Sequence, residues 1–155
     1  HITPVDENAP TGITHESTKP LRLAGVTFTI GGTSKAKLNN FELDLGNDIQ
    51  LRTDIGAASA LAHAYFADRR PTLNCDPEAV SISDDDVWGD FLAGTPKAVV
   101  FSIGSVVGNR IAIAAPAFSH DNPSSEDAQG LLRDRLPGRL NTVNGADDQL
   151  TIVFT

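Results

Sequence analysis

The 155-residue chain has no methionine, and only one cysteine, one tryptophan and one tyrosine. A lone cysteine, Cys75, excludes an internal disulfide framework and a cysteine-rich zinc site. Long apolar runs are missing as well. The longest mostly apolar stretch, residues 98–107, contains Ser102, Gly104 and Ser105, well short of the ~18–20 residues of a membrane-spanning helix. The first residues lack the charged-then-apolar pattern of a secretory signal. Positive charge is scarce: 12 Lys and Arg face 20 Asp and Glu, for a formal charge of −8. Affinity for nucleic acid comes mainly from cations that neutralise phosphates, so this balance argues against a nucleic-acid-binding protein.

What is present describes one globular domain. Hydrophobic residues make up 40% and charged residues 21%, enough for a core and too apolar for disorder. The 13 glycines and 9 prolines imply many turns. Residues 1–20, punctuated by Pro4, Pro10 and Pro20, bury too little to order alone and read as an extended arm or inter-domain linker. Residues 21–155 form the expected domain. Because the chain lacks methionine and begins at His1, it reads as processed, excised from something longer, or only partly observed.

Period-2 alternation, the pattern of a half-buried strand, marks Leu21–Leu23, Val26–Ile30, Phe41–Leu45, Ile49–Arg52 and 150–154. Residues 98–103, 110–114 and 131–136 read as further strands. Gly31-Gly32 makes a turn, and Gly46-Asn47-Asp48 predicts a tight hairpin between its flanking strands. One amphipathic helix is predicted over about 84–93. Ser83 would cap it, Asp84-Asp85-Asp86 would fill its first turn, Val87, Trp88, Phe91 and Leu92 would share a face, and Gly94 would end it. Residues 57–68 stay ambiguous, because five alanines in the first eight positions favour a helix while Leu61, His63 and Tyr65 alternate as in a strand.

No catalytic, cofactor-binding or metal-ligating set emerges. Aligned as a calcium loop from Asp84, the chain puts Trp88 and Thr95 where oxygen ligands are required. His1, His15, His63 and His120 form no metal-binding pair, and His63 reads as a core or interface histidine. Nothing marks a serine or Cys75 as a nucleophile for His120-Asp121. Gly104 to Asn109 fits neither a phosphate loop nor a dinucleotide fingerprint and reads as a loop joining two strands. Arg69-Arg70 and Arg133, Arg135 and Arg139 are interleaved with Asp68 and Asp134, as in ion pairs on a solvated or inter-subunit face.

The order of motifs resembles the major tail tube proteins of long-tailed, siphovirus-like bacteriophages. The matching elements are Leu43-Asp44-Leu45-Gly46-Asn47, Thr53-Asp54-Ile55-Gly56-Ala57-Ala58, Asp68-Arg69-Arg70-Pro71 and Asp76-Pro77-Glu78-Ala79, then the acidic stretch at Asp84. Gly108-Asn109-Arg110 with Ala115-Pro116, Gly130-Leu131 and the ending 147–154 complete the series over residues 20–155. The resemblance implies a mainly β fold, a tail-tube-type sandwich or barrel with one flanking helix, and it implies a strand rather than a helix at 57–70. It also implies a non-enzymatic virion subunit, without cofactor or metal, assembled in the host cytoplasm into stacked hexameric or pseudo-hexameric rings. Tape measure and tail terminator proteins would be its other partners, and DNA would pass through the lumen unbound. Similar proteins include longer ones with a preceding domain of related fold, so the resemblance also implies that this chain is the C-terminal domain or part of a longer subunit, with residues 1–20 as the connector. Net negative charge suits such a conduit, since like-charge repulsion persists over ~8 Å at physiological salt. The alternative is a β-sandwich binding module for carbohydrate or adhesion, which requires an exposed aromatic platform. The seven Phe, one Tyr and one Trp mostly occupy core-patterned positions.

Overall fold

A computed structural model describes residues 25–57, 60–145 and 147–155. The expected arm at 1–20 and strand at Leu21–Leu23 lie outside them. In chain order the elements are β1 (Thr27–Ile30), β2 (Thr33–Ser34), β3 (Leu38–Asp44), β4 (Asn47–Thr53), β5 (Leu61–Arg69), β6 (Thr72–Pro77), α1 (Val87–Ala93), β7 (Lys97–Val106), β8 (Asn109–His120), β9 (Ser124–Ala128), β10 (Leu131–Asn141) and β11 (Thr151–Phe154). The fold is therefore mainly β with one short helix. Nine strands form an antiparallel sheet in the order β2-β1-β7-β8-β10-β6-β3, with β11 on β8 and β9 on β10, while β4 and β5 pair only with each other.

Alternation decides what is buried. Leu73, Cys75 and Pro77 point inward from β6, Leu136 and Leu140 from β10, Val99 and Phe101 from β7, and Phe28 and Ile30 from β1. The sheet closes on itself through aromatic contacts. Phe41 of β3 stacks on Phe101 of β7 at 4.2 Å and meets Phe28 of β1 edge-on at 5.4 Å, although β3 is no sheet neighbour of either strand. Each such buried side chain contributes about 1.5–3 kcal/mol. Gly138 of β10 is required by packing: a Cβ there would lie 2.4 Å from both the Phe118 ring and the Ser119 carbonyl oxygen.

Local expectation and structure part at three places. Within the Ala-rich stretch, residues 61–68 lie in β5, not in a helix, because cross-strand pairing with β4 overrides alanine's propensity. β3 and β4 do not make the hairpin expected around Gly46. β3 pairs with β6 and β4 with β5, so Gly46 is a corner within one strand path. The helix begins at Val87, with Asp86 rather than Ser83 as its cap, accepting a hydrogen bond from the Gly89 N–H at 2.8 Å. Asp84 and Asp85 precede it and are used otherwise: Asp84 accepts from the Ser81 hydroxyl, and Asp85 turns inward. Gly94 ends the helix in the left-handed conformation, as expected. Val87 is buried and Phe91 half-buried, but Trp88 and Leu92 of the predicted apolar face are exposed.

Candidate assembly surface

β4 and β5 continue the β3–β6 pair. Asp44 lies opposite Thr72, and three residues further along Asn47 lies opposite Arg69, so one antiparallel ribbon runs from the core into solvent. Its joint is tight. Gly46 sits at φ +55, the Arg70 N–H donates to the Gly46 carbonyl at 3.1 Å, and a Cβ on Gly46 would lie 2.2 Å from the Arg70 carbonyl oxygen. Asp44 accepts from the Gly46 N–H at 2.9 Å and holds the corner from the other side.

The register sorts the arm's side chains onto two unlike faces. Ile49 opposite Phe66 and Leu51 opposite Ala64 make one face apolar. Gln50 opposite Tyr65 and Arg52 opposite His63 make the other polar, with Asp48 joined to it by the Gln50 amide. Ile49, Leu51 and Phe66 are 57%, 64% and 64% exposed, whereas Leu73 and Cys75, on the inner part of the same ribbon, are 2% and 1% exposed. Two-stranded ribbons without a third layer are marginal in water, and among the described residues neither β4 nor β5 pairs with another strand.

Beneath α1 lies a second feature that the sequence did not announce. The Lys35 ammonium, on the β2–β3 connector, pairs with Asp85 at 2.8 Å with side-chain exposures of only 1% and 3%. Lys97 at the start of β7 reaches the other Asp85 oxygen at 3.1 Å and also pairs with Asp90 of the helix. Burial alone would raise the Asp85 pKa, but hydrogen bonds from Lys35 and Lys97 outweigh it and hold the carboxyl below its ordinary value. Burial likewise opposes the charge on Lys97, and its bonds to Asp90 and Asp85 raise its pKa instead.

The residues weighed in the sequence disperse. Among the described residues, no group of three or more His, Cys, Asp or Glu is placed to hold a metal, and no helix is long and apolar enough to cross a membrane. His63 is exposed on β5, edge-on to Tyr65, and so is not a core histidine. His120 lies edge-on to Phe118 at 4.9 Å while Asp121 pairs with Arg139, so these neighbours share no partner. Burial pushes the Cys75 thiol up to about 12, which keeps it protonated and non-nucleophilic at neutral pH. Of the loop expected at Gly104 to Asn109, only Val107 and Gly108 form the β7–β8 turn, while Gly104 to Val106 continue β7. Arg70 pairs with Asp68 at 2.7 Å on the exposed arm, and Arg133 donates to the Asp76 carbonyl. A cavity of about 510 Å³ at the arm's root is lined by Arg69, Arg70, Pro71, Arg139 and Gln149 among others. Two of its three arginines already have carboxylate partners.

No family model and no curated protein matches the chain. Among solved structures it is similar to the anti-feeding prophage cap, a tube terminating cap solved by cryo-electron microscopy. The similarity has a TM-score of 0.63 at 12% identity, and covers 96% of this chain and 100% of that one. The chain thus shares the fold of that tube terminating cap.

Proposed function

We propose that this chain is a non-enzymatic structural subunit of a phage tail, building rings that stack into a tube around a channel for DNA. The observation that carries the reading is the arm. An apolar ribbon face of Ile49, Leu51 and Phe66, left uncovered by the described residues of its own domain, fits a protein whose copies cover one another. The shared fold with a tube terminating cap supports the same setting. In this reading the apolar face packs on a neighbouring copy, and the polar face carrying Asp48, Gln50 and Arg52 stays wet. The −8 charge keeps DNA passage free of adhesion, and the virion is the site of action, with tape measure and terminator proteins as further partners.

The neighbour's role favours one variant of the reading, in which this chain caps a tube rather than building its length. Electron microscopy of the purified chain separates the possibilities. Stacked rings with a central channel support the tube subunit, whereas single rings that do not stack support a cap. A monodisperse monomer at every concentration, binding glycans, contradicts both and favours the binding module. For that module the exposed aromatics are poorly placed: Tyr65 and Phe66 lie on β5, Trp88 on α1 and Phe154 on β11, on three separate elements.

A further inference from the structure

Helix α1 is fastened to the sandwich by charge more than by apolar packing. Of its residues Val87 alone is buried, Trp88 and Leu92 face outward, and β8 is the strand it packs against. The fastening is the ionic cluster described above. Asp85, just ahead of the helix, bonds Lys35 and Lys97, and Asp90 within the helix bonds Lys97 again. Two carboxylates thus balance two ammonium groups in a largely buried space.

His120, at the end of β8, borders this cluster. Its Nδ1 is buried and has no hydrogen-bond partner among the described residues. The charged groups that face it are Asp90 from α1, Asp85 from the segment ahead of α1, Lys97 from β7 and Lys35 from the β2–β3 connector. A proton on this imidazole adds one positive charge to a balanced set. The new cation gains a partner only by drawing Asp90 or Asp85 away from a lysine, or by admitting water where the helix now sits.

We propose that residues 81–95 form a clip over the sandwich, closed while His120 is neutral and opened when His120 takes up a proton. Burial, the largest influence on this histidine, lowers its pKa in the closed state from the ordinary 6.5, outweighing the pull of the two aspartates. The sign follows from linkage. Closure is fully favoured above 6.5 and is weakened as pH falls toward the lowered value, the opening constant rising about tenfold per pH unit between the two. Asp85 titrates below its ordinary 3.8 and so cannot produce a transition in this window.

Trp88, the single tryptophan of the chain, rides on the clip and reports on it. The test follows Trp88 emission and acrylamide quenching in the full chain between pH 7.5 and 4.5, together with hydrogen-exchange protection of residues 87–95 corrected for intrinsic rates. The expected result is increased quenching and a loss of protection in the clip, setting in below 6.5 at about tenfold per pH unit and levelling off once His120 is protonated in the closed state, while β6 and β10 stay protected. His120→Gln is expected to flatten the profile, and His63→Gln, on the exposed arm, to leave it unchanged. A wild-type profile that is flat, or the same slope in His120→Gln, overturns the proposal. Should His120→Gln not fold, imidazole NMR titration of the wild type replaces it: coincidence of the His120 and Trp88 transitions supports the clip, and non-coincidence overturns it.

Discussion

Two halves of one ribbon behave as opposites. The inner half, β3 with β6, and the outer half, β4 with β5, share antiparallel pairing, a period-2 alternation and nearly continuous register across Gly46 and Arg70. The inner half buries Leu73, Cys75 and Pro77, whereas every residue of β4 and β5 is exposed. Backbone hydrogen bonds are made in both halves, so what separates them is the layer on top. Net gains from hydrogen bonds exchanged with water are small, about 0.5–1.5 kcal/mol each, and apolar burial must supply the rest. The outer half therefore has the sequence of a covered strand pair and no cover from the described residues of its own chain.

Substitutions can break this contrast, and the largest effect is expected at the anchor beside the inner half. Asp85→Ala removes the carboxylate from the buried Lys35 ammonium, which leads into β3, and is expected to lower unfolding free energy by about 3–5 kcal/mol in urea titrations. It also changes the acid limb. The folded pKa of Asp85 is lowered, so its contribution is present above 3.8 and lost as pH falls through the lowered value, and the variant's stability is expected to vary less there. Leu73→Ala empties a core position and should cost about 2–5 kcal/mol by the same measurement. Gly138→Ala forces a methyl onto Phe118 and the Ser119 carbonyl, for an expected loss of about 1–3 kcal/mol in thermal or urea unfolding. The smallest effect on the monomer belongs to the arm. Leu51→Ser and Phe66→Ser are expected to shift stability by no more than about 0.5 kcal/mol. Sedimentation and electron microscopy should nevertheless show their assembly greatly weakened. A Phe66→Ser monomer as destabilised as Leu73→Ala would erase the contrast.

Much of the fold was legible because burial imposes a period of two. Val26–Ile30, Phe41–Leu45 and 150–154 showed that pattern, and each corresponds to a strand, give or take a residue or two. β6 carried the same signal in Leu73, Cys75 and Pro77, but Asn74, Asp76 and the proline masked it. Pro77 is tolerated because it closes the strand, opposite Leu38. β9, Ser124–Ala128, has no apolar alternation to read, since it lies on the exposed end of β10. At residues 57–68 alanine propensity points to a helix and the alternation of Leu61, His63 and Tyr65 to a strand, and the resemblance to tail tube proteins favours the strand that β5 is. The Gly46 corner was misread because Gly-Asn tolerates a hairpin turn and a within-strand corner equally well. Strand partners, which decide between them, are set by residues far away.

The candidate surface was less legible than the fold. Alternation announces that Ile49, Leu51 and Phe66 belong on a covered face, but it does not say whose atoms cover it. The ionic cluster was hidden for a different reason. Asp84-Asp85-Asp86 looks like three equivalent helix-start carboxylates, yet one bonds Ser81, one caps the helix and one is buried against two lysines brought in from the β2–β3 connector and β7. Lys35, flanked by Ser34 and Ala36, carries no local sign that it is buried.

The central claim, that copies of this chain cover the apolar face of the arm, is tested most directly by amide hydrogen exchange of residues 47–53 and 61–69, measured in dilute monomer and in the assembled particle. Fast exchange in the monomer, with strong protection gained on assembly and little change in β6, is the expected result. Arm amides as slow as those of β6 in the monomer, or no gain in the particle, would contradict it.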